Sequence, residues 1–295
     1  MINKQPDSIN TEINPEASLS NPFFGLKNLL DSKVNQYNCF DFIHSDPIQI
    51  PHRFSRKEDI EIAAFLTATI SWGQRKSIIN NAIKLMELMD NSPYEFLMGN
   101  SIPNSENSSD YSDFNESPDW LAVKRFVHRT FNGDDCLYFL ESLRNIYVHH
   151  HGLENVFTKG YQLNECIYGA LQHFRNVFLS IPHATRIRKH ISDVSANSSA
   201  KRLNMFLRWM VRSDEHEVDF GLWKGIPASA LMLPLDVHTG NVARGLGLLT
   251  RKQNDWKAVE EITAVLRTFD PSDPVKYDFA LFGIGVFEGK NPILQ

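Results

Sequence analysis

Asp236 is the acid whose setting most invites chemistry. It ends the apolar stretch Leu233-Pro234-Leu235 and stands just before a helix-forming run that opens Val237-His238-Thr239-Gly240. A carboxylate there caps the helix and meets the positive end of its dipole. Such a cap is common without any catalytic role. Lys201 opens a second helical run, 201–211, where spacing alone gives a plain surface lysine. To act as an amine nucleophile it needs a pKa depressed by burial or by a nearby cation, and Arg202 is adjacent. Other reactive side chains fit chemistry less well. His149, His150 and His151 close a helical run just before Gly152, where cations suit a helix C-terminus. Zinc needs a better-spaced set, and no HExxH occurs. Cys39, Cys136 and Cys166 lie far apart without a CxxC pair. They are too few for an iron–sulfur cluster or a disulfide framework and read as buried thiols. No metal, iron–sulfur cluster or other cofactor is expected.

Charge is unevenly spread. The net charge is −5, but residues 104–119 hold five acids and no base, so the rest of the chain is neutral. Residues 186–212 hold seven bases (Arg186, Arg188, Lys189, Lys201, Arg202, Arg208, Arg212) against Asp193. A basic stripe on a neutral body can track phosphates; a solvated helical face gives the same pattern.

The elements that position these residues read as helices almost throughout, giving an all-α fold class. Hydrophobic residues make up 42% of 295 residues, enough for a real core. No apolar run is long enough to span a membrane. Residues 1–22 are polar and Asn/Ser-rich, which predicts a disordered leader on a cytoplasmic protein. Ser55 and Glu58 are spaced as a capping box before a buried helix over 56–71. Further helices are expected over 76–89, 134–147, 164–179, 201–211, 237–246, 255–268 and 274–286. Pro93 and the polar stretch 100–119 break the pattern, the latter as a flexible acidic linker inside a helical domain covering 23–295.

Four stretches, in order, resemble the helix-hairpin-helix DNA glycosylase superfamily. Leu235-Asp236-Val237-His238 followed by Val242-Ala243-Arg244-Gly245-Leu246-Gly247 is similar to its V-D-T/Y-H/R-x-x-R-V signature and Leu-Gly pair. Residues 62–86 look like the early helix pair of endonuclease III-like enzymes, with Trp72 and Gln74 at the loop that enters the gap left by a flipped base. Lys201-Arg202-Leu203-Asn204 resembles K-T-A-N, where the lysine is the Schiff-base nucleophile. Tyr277-Asp278-Phe279-Ala280-Leu281-Phe282-Gly283 looks like the closing helix of archaeal oxoguanine glycosylases, putting Asp278 and Phe282 at the base pocket. The family hairpin L-P-G-[VI]-G grips a phosphate through glycine-freed amides. Here residues 193–200 contain no glycine, and the hydroxyls of Ser198 and Ser199 could substitute.

The resemblance implies two helical subdomains of the glycosylase type, enclosing a pocket for a damaged base flipped from duplex DNA. It implies base excision repair by a monomer: Asp236 stabilises the oxocarbenium sugar and Lys201 gives lyase activity. Trp72, Gln74, Arg188, Lys189, Ser198, Ser199, Arg202 and His238 would contact DNA. Trp72, beside the flexible Gly73, could equally be a core tryptophan. The alternative is a nucleic-acid-binding or scaffold protein that keeps the fold without catalysis.

Overall fold

The computed structural model describes residues 24–99 and 118–289. The expected leader lies outside them. So does the expected linker, save its last two residues, which begin a helix. Among the described residues the chain is all-α apart from one two-stranded hairpin. In order run α1 (Phe24–Tyr37), α2 (Phe40–Ser45), two 3-10 turns (Pro47–Gln49 and Pro51–Arg53), α3 (Lys57–Ile70), α4 (Arg75–Glu87), α5 (Pro93–Gly99) and α6 (Pro118–Val123). The hairpin β1 (Val127–His128) and β2 (Phe131–Asn132) follows, pairing His128 with Phe131. Then come α7 (Gly133–His149), α8 (Leu153–Asn164), α9 (Ile167–Phe178), a 3-10 turn (Thr185–His190), α10 (Lys201–Val211), α11 (Val237–Gly245), α12 (Trp256–Phe269) and α13 (Tyr277–Gly283), which ends in a π-helical turn (Ile284–Glu288). No helix among the described residues is long and apolar enough to cross a membrane.

Local chemistry accounts for most boundaries. Asn132 and Asp135 form a reciprocal capping box on α7, and Asp255 caps α12 through the Ala258 amide. The box expected at Ser55 does not form. α3 starts at Lys57 after an extended Arg56 with no side-chain cap, and Glu58 is bonded instead by Arg56 Nε at 3.2 Å. Pro93 opens α5 rather than ending structure, as a residue without a needed N–H can at a first helical position. The helix expected from 164 begins at Ile167, because Glu165 is left-handed and Cys166 caps the next helix through its sulfur. α8 was not expected.

α3 is central, with every residue from Ile60 to Ile70 buried. Phe65 packs on Phe139 of α7, Phe174 and Phe178 of α9 and Phe206 of α10, with centroids 5.5–6.0 Å apart. α8 lies against α9 at Gly160, where an added Cβ would stand 2.5 Å from His173 Cβ and 2.9 Å from Ala170 Cα. A second packing group joins α1 and α11 to α13. α10 is tied to this group by buried charge. Arg208 reaches Asp219 at 3.2 Å and also bonds Asp278 of α13, while Arg212 reaches Asp219 at 3.1 Å and Asp273 at 2.8 Å. Burial pushes the pKa of Arg208 down, but Asp219, Asp278 and Asp46 outweigh it and hold it above its ordinary value. Two of the seven bases of the expected stripe therefore point inward.

Breaking such a network by removing one partner leaves uncompensated buried charge. Asp219→Ala takes one carboxylate partner from each guanidinium, leaving Arg208 to Asp278 and Arg212 to Asp214 and Asp273, and should cost about 3–5 kcal/mol, read as a fall in the urea midpoint. An unchanged midpoint would show that the two arginines do not depend on Asp219.

Candidate functional site

A cleft of about 890 Å³ opens between the two packing groups. That size suits a small-molecule site. The loop after α3 contributes Ser71, Trp72 and Gly73; the start of α10, Ser199, Lys201 and Arg202; the start of α11, Asp236, Val237 and His238; the end of α13 and beyond, Phe282 and Gly285.

Asp236 is the N-cap of α11, its Oδ1 accepting the Thr239 amide at 2.9 Å. Its own carbonyl accepts from Asn254 Nδ2 at 2.9 Å, and Arg244 holds Asn254 in turn. The carboxylate is thus held by the Thr239 amide, and the backbone that carries it by Asn254. Lys201, the first residue of α10, brings Nζ to 4.0 Å from Asp236 Oδ2, with both side chains about one-quarter exposed. Residues 35 positions apart meet at one cleft because two helices start there.

The other expected residues divide. Ser199, Arg202, His238, Trp72 and Phe282 line the cleft. Trp72 is half-buried and packs against the core. Arg202 stacks over its ring at 4.8 Å, and His128 meets it edge-on at 5.0 Å. It therefore forms a wall of the cleft. Arg202 also donates to the carbonyls of Thr69 and His190, and burial lowers its pKa to about 10. Gln74, exposed at the start of α4, is not among the lining residues, nor is Ser198, whose hydroxyl accepts from the Ala200 amide. Arg188 and Lys189 are exposed on the 3-10 turn Thr185–His190, outside the cleft. Asp278, expected at the base pocket, does not line it: it is buried and bonded to Arg208. Among the described residues no group of histidine, cysteine and acid side chains could hold a metal.

The hairpin 193–200 departs from the expected phosphate grip. Asp193 Oδ1 accepts from the amides of Ser195 at 3.0 Å and Ala196 at 3.3 Å, and from Ser195 Oγ. Asp193 also pairs with Arg175 at 3.2 Å. Its hydrogen bond from Ser195 comes first among the causes that hold its pKa below the usual carboxylate range. Asn197 and Ala200 adopt positive φ, 64° and 48°, with no glycine present.

Sequence reading missed Asp46, a buried acid that lines the cleft and caps the turn Pro47–Gln49 through the Ile48 amide at 3.1 Å. An acid directly before proline is a legible turn-start signal, but nothing local links it to residue 201. Arg75 also lines the cleft and lies 5.3 Å over the Phe282 ring.

Fold and site together define an all-helical protein with a lysine–aspartate pair at a cleft where two helices start. The chain belongs to the family described as protein of unknown function (DUF2400), whose model matches residues 46–287. No curated protein and no solved structure matches it.

The buried acid beneath the pair gives a pH test. Burial pushes the Asp278 carboxyl up to about 6, against the pull of Arg208, with Asp236 adding to the rise. An acid whose pKa rises on folding holds its proton more tightly when folded. Its contribution is full below about pH 4 and is lost as pH rises toward about 6. Asp278→Asn should remove that decline, changing the slope of stability against pH by at most about 1.4 kcal/mol per unit in this window. Urea midpoints from pH 4 to 7 measure it, and parallel curves for the two proteins reject it.

Proposed function

We propose that the chain is a DNA base-excision glycosylase with lyase chemistry, acting on a damaged base flipped out of the duplex. The observation that carries this reading is the 4.0 Å approach of Lys201 Nζ to Asp236 Oδ2 at one cleft. In it, the two helical packing groups act as the two subdomains of a helix-hairpin-helix glycosylase, and the flipped nucleotide enters between them. The carboxylate of Asp236, held by the Thr239 amide on a backbone anchored by Asn254, stabilises positive charge growing on the sugar as the C1′–N bond breaks. Lys201 first gives its ammonium proton to water, and the free amine then attacks C1′, giving a covalent adduct that opens to a Schiff base. Trp72 and Phe282 offer faces to the base, and Arg188 and Lys189 meet phosphates outside the cleft. The protein works in this reading as a cytoplasmic monomer in DNA repair, without metal or cofactor.

A second reading is a nucleic-acid-binding protein of the same fold without catalysis. Asp193 occupies the hairpin amides that a catalytic member of the superfamily would turn to a phosphate, while the exposed Arg188 and Lys189 still offer charge for binding.

Duplexes each carrying one oxidised, deaminated or alkylated base, with and without borohydride, separate the two. Asp236→Asn keeps the cap and removes the charge, so base release from the cleaved duplex should fall at least about 100-fold while the fold survives. Lys201→Gln should abolish the borohydride-trapped complex. If the wild-type protein releases no base and traps no DNA, the glycosylase reading fails and the binding reading stands.

Both readings share an electrostatic prediction. Arg188→Glu with Lys189→Glu should weaken binding to every sequence alike and flatten the plot of log affinity against log salt. Affinity indifferent to salt between about 50 and 200 mM contradicts it.

A further inference from the structure

Three acids gather at or beneath the cleft, and their surroundings differ. Asp236 is fixed as a helix cap beside Lys201. Asp278 is closed off from the cleft by its bond to Arg208. Asp46 alone of the three is both buried and part of the cleft lining, on the turn that leads from α2 toward α3. One of its oxygens, Oδ1, accepts the Ile48 amide. Among the described residues no hydrogen bond is made to the other, Oδ2.

We propose that Asp46 is the general acid that protonates the departing base, an assignment resting on the glycosylase reading above. Two carboxyls in one site can take opposite roles when their environments differ, one ionised and one carrying its proton. Burial pushes the Asp46 carboxyl above its ordinary pKa, although the Ile48 amide and the facing cations Arg208, Arg75 and Lys201 pull it down. Desolvation favours the protonated acid, the form a proton donor needs. The step balances as follows. The C1′–N bond breaks and its electron pair leaves with the base. The Asp46 proton passes to that base, which departs neutral. The amine of Lys201 supplies the new bond to C1′, and the adduct ammonium loses its proton to water. Water then returns a proton to the Asp46 carboxylate. Asp46 thereby selects bases that leave poorly without a proton.

Asp46→Asn tests this, because an amide oxygen can still accept from Ile48 but the side chain cannot donate a carboxylic proton. Two substrates are used: the base-bearing duplex that the wild-type protein cleaves, and the same duplex with an abasic site, which has no base to expel. Base release by Asp46→Asn should fall at least about 100-fold. The high-pH fall in wild-type release should vanish from its profile. Borohydride trapping on the abasic duplex should stay within about threefold of wild type, the scale of context scatter rather than of a lost proton donor. Undiminished base release with the same pH profile overturns the role of Asp46 and leaves the glycosylase reading intact. Equal loss of base release and trapping makes Asp46 structural and overturns the proposal. A wild-type protein that traps the abasic duplex but releases no base from any duplex overturns both the acid and the glycosylase reading. One that does neither removes the lyase chemistry as well.

Discussion

The buried cluster of Arg208, Arg212, Asp219, Asp273 and Asp278 is the constraint on which the site depends. Guanidinium groups this deep persist only when paired, and the pairs come from outside α10. Lys201, Arg208 and Arg212 lie at intervals of seven and four, so they share one face of α10. The face that reaches Asp219, Asp273 and Asp278 at its far end presents Lys201 to Asp236 at its start. Rotation of α10 would expose both arginines to unmatched burial. The position of Lys201 is thus held by charge two and three turns away.

That same cluster explains why the basic segment misleads as a sequence pattern. Seven bases against one acid describes local composition, while the compensating acids lie up to 70 residues downstream. Arg208 and Arg212 are core residues, and Arg202 is half-buried between the carbonyls it bonds and the Trp72 ring. Only position in three dimensions distinguishes these from Arg188 and Lys189, which stay exposed. Asp236 and Lys201 were legible because each starts a helix that its own neighbours define. Asp46 was not, since its meaning comes from burial beside α10, and burial of an acid in a polar stretch leaves no period to read.

The helices were legible where apolar spacing is regular, as over α10, and where a cap joins it, as over α12. α8 carries Leu153, Val156, Phe157 and Gly160 at helical spacing, yet it follows a histidine run and holds a glycine that ordinarily weakens a helix. Here that glycine is what lets α9 approach. The capping pattern at Ser55 failed for the converse reason. A matching pair of residue types formed no cap once Arg56 had engaged Glu58.

The hairpin before α10 joins these points. A glycine-rich turn would leave its amides free for a phosphate, but this turn bends with Asn197 and Ala200 at positive φ. Non-glycine residues in that region carry strain of about 1–3 kcal/mol each and persist only when their surroundings fix them. Asp193 supplies part of that fixing through the Ser195 and Ala196 amides, and Asn197 Nδ2 bonds Asp255 at the start of α12. The turn is therefore stabilised by its own carboxylate, which stands where an anion would bind. A ligand phosphate there would have to displace Asp193 from two amides and from Arg175. In the proposed function, contact with nucleic acid backbone would fall instead to the exposed Arg188 and Lys189 on the preceding turn, and to the first turn of α10, which Ala200 leaves without a side-chain cap. That uncapped turn begins at Lys201, so an anion drawn to its amides would arrive beside the amine and the fixed carboxylate of Asp236.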